Sequence, residues 1–258
     1  MVSEITSPES LPPRDTKLPC YREQSTFAAN ELNRGSSRTY LFPGIDIVFH
    51  FLATVCRENL DTLEKEIPNS KGYVCDAADS ASVHATVSQC ITELGGVDVL
   101  IYNAGVGYFK SFDETTEEEL EQCWSGGPKG LFTFAKALVP HFNAEGGGAI
   151  GVTGATASWR GMPATSAFAS SKFALRGLCQ SLARDLGPKN IHVFHVVIDG
   201  IIDMPKTRQW IANKPTDEFL DPEHIADLYW YLTNQDKRCW TYELNVSPGV
   251  LAGSMVSI

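Results

Sequence analysis

Short apolar runs alternate with longer stretches in which apolar residues recur every three or four positions. The runs at 45–52, 72–75, 97–102, 148–153 and 191–198 have strand length and continuous apolar character. The stretches at 58–67, 80–94, 117–142 and 167–186 carry the helical period. Strands without polar alternation are buried on both faces, and strands separated by helices form a parallel sheet covered on both sides. The pattern therefore predicts an α/β fold. Punctuation agrees with it: Asp79 stands as N-cap before residue 80, Gly187-Pro188 stops the fourth helix, and Asp221-Pro222-Glu223 opens another that runs to Thr233. Residues 240–246 alternate as a last strand, closed by Pro248-Gly249. One helix carries its own fault. Gly126-Gly127-Pro128 inside 117–142 combines two residues costing about 1 kcal/mol each with one costing about 3 kcal/mol relative to alanine, so a kink is predicted there.

Residues 1–24 hold Pro8, Pro12, Pro13 and Pro19 among polar residues with neither period, and read as an irregular N-terminal tail to a single domain over 25–258. The chain has 258 residues, enough for one full core, and a formal charge of -10 without a basic run. Nucleic acid and anionic membranes are poor partners for such a surface. No apolar stretch approaches the length of a spanning helix, and residues 1–10 lack a secretory apolar segment. Seven cysteines, an odd number without a Cys-x-x-Cys pair, read as reduced thiols, which points to a cytoplasmic protein. The six histidines show no metal spacing, so no metal is expected.

Two segments carry more than the fold class. Val97-Asp98-Val99-Leu100-Ile101-Tyr102-Asn103-Ala104-Gly105 is a strand running into a tight turn. The second begins at Gly148, passes Val152-Thr153-Gly154-Ala155 and Phe168-x-x-x-Lys172, and ends at Ile198-Asp199-Gly200. In this order and separation they resemble the short-chain dehydrogenase/reductase superfamily over about residues 45–258. The resemblance implies a single Rossmann-type doubly wound parallel sheet, an NAD or NADP cofactor along its C-terminal edge, and hydride exchange with a small-molecule carbonyl or alcohol. It also implies a homo-oligomer. By the same resemblance, cofactor contacts would fall on Asp76, Asn103, Ala104, Gly105, Lys172 and Gly200, and the catalytic lysine would be Lys172.

The superfamily pairs that lysine with a tyrosine four residues earlier, a serine thirteen before the tyrosine, and an asparagine on the preceding long helix. A lysine one turn from a phenol favours the phenolate, which then passes a proton near neutral pH. Here Phe168, Ala155 and Gly127 stand at the Tyr, Ser and Asn positions. Upstream, Gly35 and Gly44 are the only glycines before Gly72, so no glycine-rich phosphate turn is legible and the first βα unit reads as eroded. Two functions stay open: an NAD(P)(H)-dependent oxidoreductase with impaired conventional catalysis, or a non-catalytic scaffold or oligomer subunit, a pseudoenzyme. Bland readings stand beside each residue: a strand-ending turn for 103–105, a helix-capping role near Asp76, and a lysine with a solvated head at 172.

Overall fold

The computed structural model describes residues 50–249, apart from 55–56, 68 and 212–213. The tail at 1–24, the start of the first strand and the expected erosion of the first βα unit lie outside the described residues. In chain order the elements are β1 (His50–Thr54), α1 (Arg57–Glu66), β2 (Ser70–Val74), α2 (Ser80–Leu94), β3 (Val99–Tyr102), α3 (Glu117–Trp124), α4 (Gly130–Ala144) and β4 (Gly148–Ala155). There follow α5 (Ser166–Leu186), β5 (Ile191–Ile198), α6 (Pro205–Trp210), α7 (Pro222–Thr233) and β6 (Glu243–Val246). Only α6 was not expected, because six residues span too few turns for a period to register.

All described strand pairs are parallel. β1 pairs with β2, and β3, β4, β5 and β6 form a second ladder in that order. Every residue of β5 is buried, which explains its unbroken apolar run. Side chains alternate across a strand, and β5 uses both faces. Ile191 and Val193 join Leu131, Phe134, Phe142 and Leu175 of α4 and α5 in one core. Phe194, Val196 and Ile198 join Ile225, Tyr229 and Leu232 of α7 in the other. This two-faced burial is what a doubly wound sheet requires.

The predicted kink is present. Thr116 and Glu119 cap the start of α3 reciprocally, with Glu119 N donating to Thr116 Oγ1 at 3.2 Å. The helix then widens through Ser125–Lys129, where Gly127 leaves helical geometry at φ -93°, ψ -107°. Proline at 128 has no N–H to give, and two carbonyls of this turn find side-chain donors instead. Ser171 Oγ donates to Cys123 O at 2.7 Å, and Tyr102 OH donates to Gly126 O at 2.6 Å. The glycines make room for those hydroxyls. A Cβ on Gly127 would stand 2.4 Å from Ser171 Oγ, and one on Gly130 would stand 2.1 Å from Tyr102 OH.

Candidate active site

The C-terminal ends of β3, β4 and β5 point to one edge, as strands of one parallel ladder must, and most of the residues singled out from sequence follow those ends. Asp76 comes two residues after β2, Asn103-Ala104-Gly105 directly after β3, Ala155 closes β4, and Asp199-Gly200 follows β5. Helix α5 brings Phe168 and Lys172 alongside, one turn apart. The side chain of Lys172 meets the β3 turn, since a Cβ on Gly105 would be 3.7 Å from its Nζ and nothing nearer crowds that space.

Lys172 is buried, with 7% of its surface exposed. Its Nζ donates to Thr153 O at 2.9 Å and lies 5.8 Å from the centroid of the Phe168 ring. It forms no ion pair with a described residue. Burial pushes its pKa down to about 8, against an opposing pull from the Cys179 and Cys123 thiols. The reading of a solvated lysine head does not survive this burial. Phe168 is half-buried, packs on the exposed ring of Phe109 at 5.2 Å, and lies against Gly107.

Several hydroxyls stand near this edge, and those of Thr153, Thr156 and Ser158 are engaged by the protein. Thr153 Oγ1 shares a 2.7 Å hydrogen bond with Tyr229 OH, and Thr156 Oγ1 donates to Asp199 Oδ1 at 2.5 Å. Ser158 is fully buried and accepts from Ala155 N at 3.1 Å. Ser166 is exposed at the start of α5. The other carboxylate oxygen of Asp199, itself 1% exposed, is buried without a protein donor. Asp76 shapes its own turn, with Oδ1 accepting from Ala78 N at 2.9 Å, so both its capping and its site readings remain compatible with the geometry. Gly200 has a packing reason of its own: a Cβ there would be 2.9 Å from Leu220 and from Pro248.

Beneath the site lies a charged network that sequence reasoning missed. His195, fully buried on β5, pairs through Nδ1 with Glu243 Oε2 at 3.1 Å, and Arg176 grips the same carboxylate through two 2.7 Å hydrogen bonds. Burial lowers the His195 pKa despite the Glu243 hydrogen bond. Burial works to raise Glu243, yet the Arg176 and His195 bonds outweigh it and hold the carboxyl below its ordinary value. The only hint in the sequence is an apolar strand interrupted by two histidines. Among the described residues no cluster of His, Cys, Asp or Glu could hold a metal ion, and no helix is long and apolar enough to cross a membrane.

The family model described as short chain dehydrogenase matches residues 44–214. The chain belongs to this family. A 3alpha-hydroxysteroid dehydrogenase of Mediterraneibacter gnavus is 32% identical over 184 residues, 68% of this chain and 74% of that protein. An L-2,3-butanediol dehydrogenase of Corynebacterium glutamicum is 32% identical over 181 residues, 69% of this chain and 70% of its own. The crystal structure of a short-chain dehydrogenase from Rhodopseudomonas palustris has a TM-score of 0.70 at 30% identity, covering 88% of this chain and 94% of that one. A metagenomic short-chain oxidoreductase in complex with NADP has a TM-score of 0.71 at 23% identity, over 87% and 92% of the two chains, and shares the fold.

Proposed function

We propose that this short-chain dehydrogenase descends from NAD(P)(H)-dependent oxidoreductases of carbonyls and alcohols and that its conventional proton relay is impaired. The observation carrying this is the surroundings of Lys172: a backbone carbonyl, an aromatic ring without a hydroxyl, and no carboxylate ion pair among the described residues. Where the family pattern calls for a phenol and a serine, Phe168 and Ala155 have neither proton donor nor anchor for a substrate oxygen. Losing a positioned general acid costs about 10²- to 10⁴-fold in rate.

The fold implies a nicotinamide nucleotide, and the residues present fit its nucleoside parts. Gly105 lies against Lys172, where a Cβ would make ordinary contact with Nζ at 3.7 Å, and the unpaired oxygen of Asp199 offers an acceptor at the same edge. When bound, the nicotinamide would exchange a hydride with the substrate carbon. Asp76 would accept from the adenine amino group, Asn103, Ala104 and Gly105 would line the adjoining ribose, and Lys172 would give its remaining N–H groups to ribose hydroxyls beside Gly200. The glycine-rich cradle that replaces water around two phosphates is not legible in the sequence, so NADH and NADPH are expected to bind weakly.

Calorimetric titration with each nucleotide, at roughly 50 µM protein, tests this directly. The expected dissociation constant is weaker than about 1 µM, which corresponds to about -8.2 kcal/mol. Phe168→Tyr is the companion variant: it keeps the ring volume, so its melting temperature should stay near that of the parent, with no robust turnover on a carbonyl panel unless Ala155→Ser is added. Tight nucleotide binding, or robust turnover by the parent or by the single variant, would overturn the reading. Absence of both binding and turnover in every variant favours the non-catalytic scaffold.

A further inference from the structure

The site described above leaves Lys172 in an unusual position. Its amine is buried, holds one carbonyl oxygen, Thr153 O, and forms no ion pair with a described carboxylate to keep it charged. In the proposed lineage such a lysine serves a phenol, and here the residue one turn earlier is Phe168. A primary amine in apolar surroundings loses its proton more readily than an exposed one, and its neutral form, with the lone pair free, is a nucleophile toward carbonyl carbon. The approach to it is apolar and aromatic as well. The Phe168 ring centroid stands 5.8 Å from Nζ, Phe109 leans on Phe168 at 5.2 Å and is largely exposed, and both rings pack against Gly107, where no side chain could fit without displacing them.

We propose that Lys172 condenses with aldehydes of apolar, ring-bearing ligands to form an imine, with Phe109 and Phe168 as the wall that receives the ring. The nitrogen lone pair attacks the carbonyl carbon to give a carbinolamine. The carbonyl oxygen then departs as water with the two amine protons, leaving a C=N bond to Nζ and no change of oxidation state. Two features converge on this: a buried amine, whose burial also holds its pKa near 8, and aromatic surface beside it. The inference rests on the same site as the proposed function. It differs in asking for no nucleotide and no proton relay.

The test is reductive trapping on the intact protein, using benzaldehyde with sodium cyanoborohydride, followed by peptide mapping of every lysine. Benzaldehyde is expected to give a benzyl adduct on Lys172. Glyoxylate, an aldehyde of similar reactivity but anionic and without a ring, should leave Lys172 far less labelled than the exposed lysines. The pH dependence supplies an internal comparison with Lys110, an exposed amine that Glu119 holds above the ordinary lysine range. Between pH 7 and pH 9 the neutral fraction of an amine with pKa near 8 rises about tenfold, and that of an ordinary or raised lysine about a hundredfold. The ratio of Lys172 to Lys110 labelling should therefore fall about tenfold over that interval.

Labelling confined to exposed lysines, equal labelling of Lys172 by both aldehydes, or a ratio constant with pH would each overturn the proposal. Nucleotide titration reads the other proposal separately. If NADPH binds and Lys172 still fails to label in its absence, the imine chemistry alone is lost. If NADPH binds more weakly than about 1 µM and, at saturating concentration, protects Lys172 from labelling, both proposals stand.

Discussion

At the scale of single residues, Lys172 shows how burial sets a sign that sequence cannot give. Its folded-state pKa near 8 lies below the ordinary 10.5, so folding disfavours its proton. The corresponding stabilisation is present above 10.5 and is lost as pH falls toward 8, and at neutral pH the full difference, about 3 kcal/mol, opposes folding. Lys172→Met removes that burden and fills similar volume, while leaving Thr153 O without its donor, a cost of about 1 kcal/mol. The variant should melt about 5 °C above the parent at pH 7, by the usual conversion for a chain of this size. The gap should close as the pH approaches 10. A variant that melts lower than the parent at pH 7 would show that Lys172 is charged and well compensated in the fold. That a lysine stands one turn after Phe168 was legible from the helical period. Its burial was not, because Thr153 of β4 and Gly105 in the turn after β3 reach it from distant parts of the chain.

Among the elements, the kinked helix was read correctly because glycine and proline act locally. The partners that make the kink tolerable were not legible, since Ser171 and Tyr102 lie 48 and 24 residues from the carbonyls they satisfy. The same distance in sequence hid the Arg176, Glu243 and His195 network, which joins α5, β6 and β5. The kink makes a quantitative demand. Gly127→Ala would push a methyl to 2.4 Å from Ser171 Oγ, and overpacking of this kind costs about 1–3 kcal/mol. Ser171→Ala alone leaves Cys123 O without a donor and costs about 1 kcal/mol. In the double variant the clash is gone, so the losses should fall short of additive, and the double variant should be no less stable than Gly127→Ala alone in urea melts. Strict additivity would mean that Ser171 and Gly127 do not compete for the same space.

For the whole molecule, the α/β class and the order of elements were written in the apolar runs, most plainly in β5, where burial on both faces removes any alternation. Which face each helix covers was not written there, because it depends on the order of strands in the sheet. That order leaves one outer surface conspicuously apolar. Leu120 and Trp124 share a face of α3, Phe173 stands on α5, Phe132 on α4, and each is at least 40% exposed. Trp124 Nε1 donates to Ser170 Oγ at 3.1 Å, so α3 and α5 lie side by side there, and the space above Gly177, one turn beyond Phe173, is open. Large apolar side chains at adjoining positions on two neighbouring helices, with a glycine that lets another backbone approach, suit the self-complementary contact of a two-fold dimer. Removing them from water favours pairing at about 25 cal/mol per Å², and salt at physiological strength screens the charge of -10 that each chain carries. Light scattering should therefore give a mass of about twice the 28.3 kDa chain or more at micromolar concentration. Phe173→Glu should shift it to the monomer while leaving the circular dichroism spectrum unchanged, because that side chain supports nothing in either core cluster. A parent protein that stays monomeric from micromolar to hundreds of micromolar would refute the dimer and leave this apolar face to another partner.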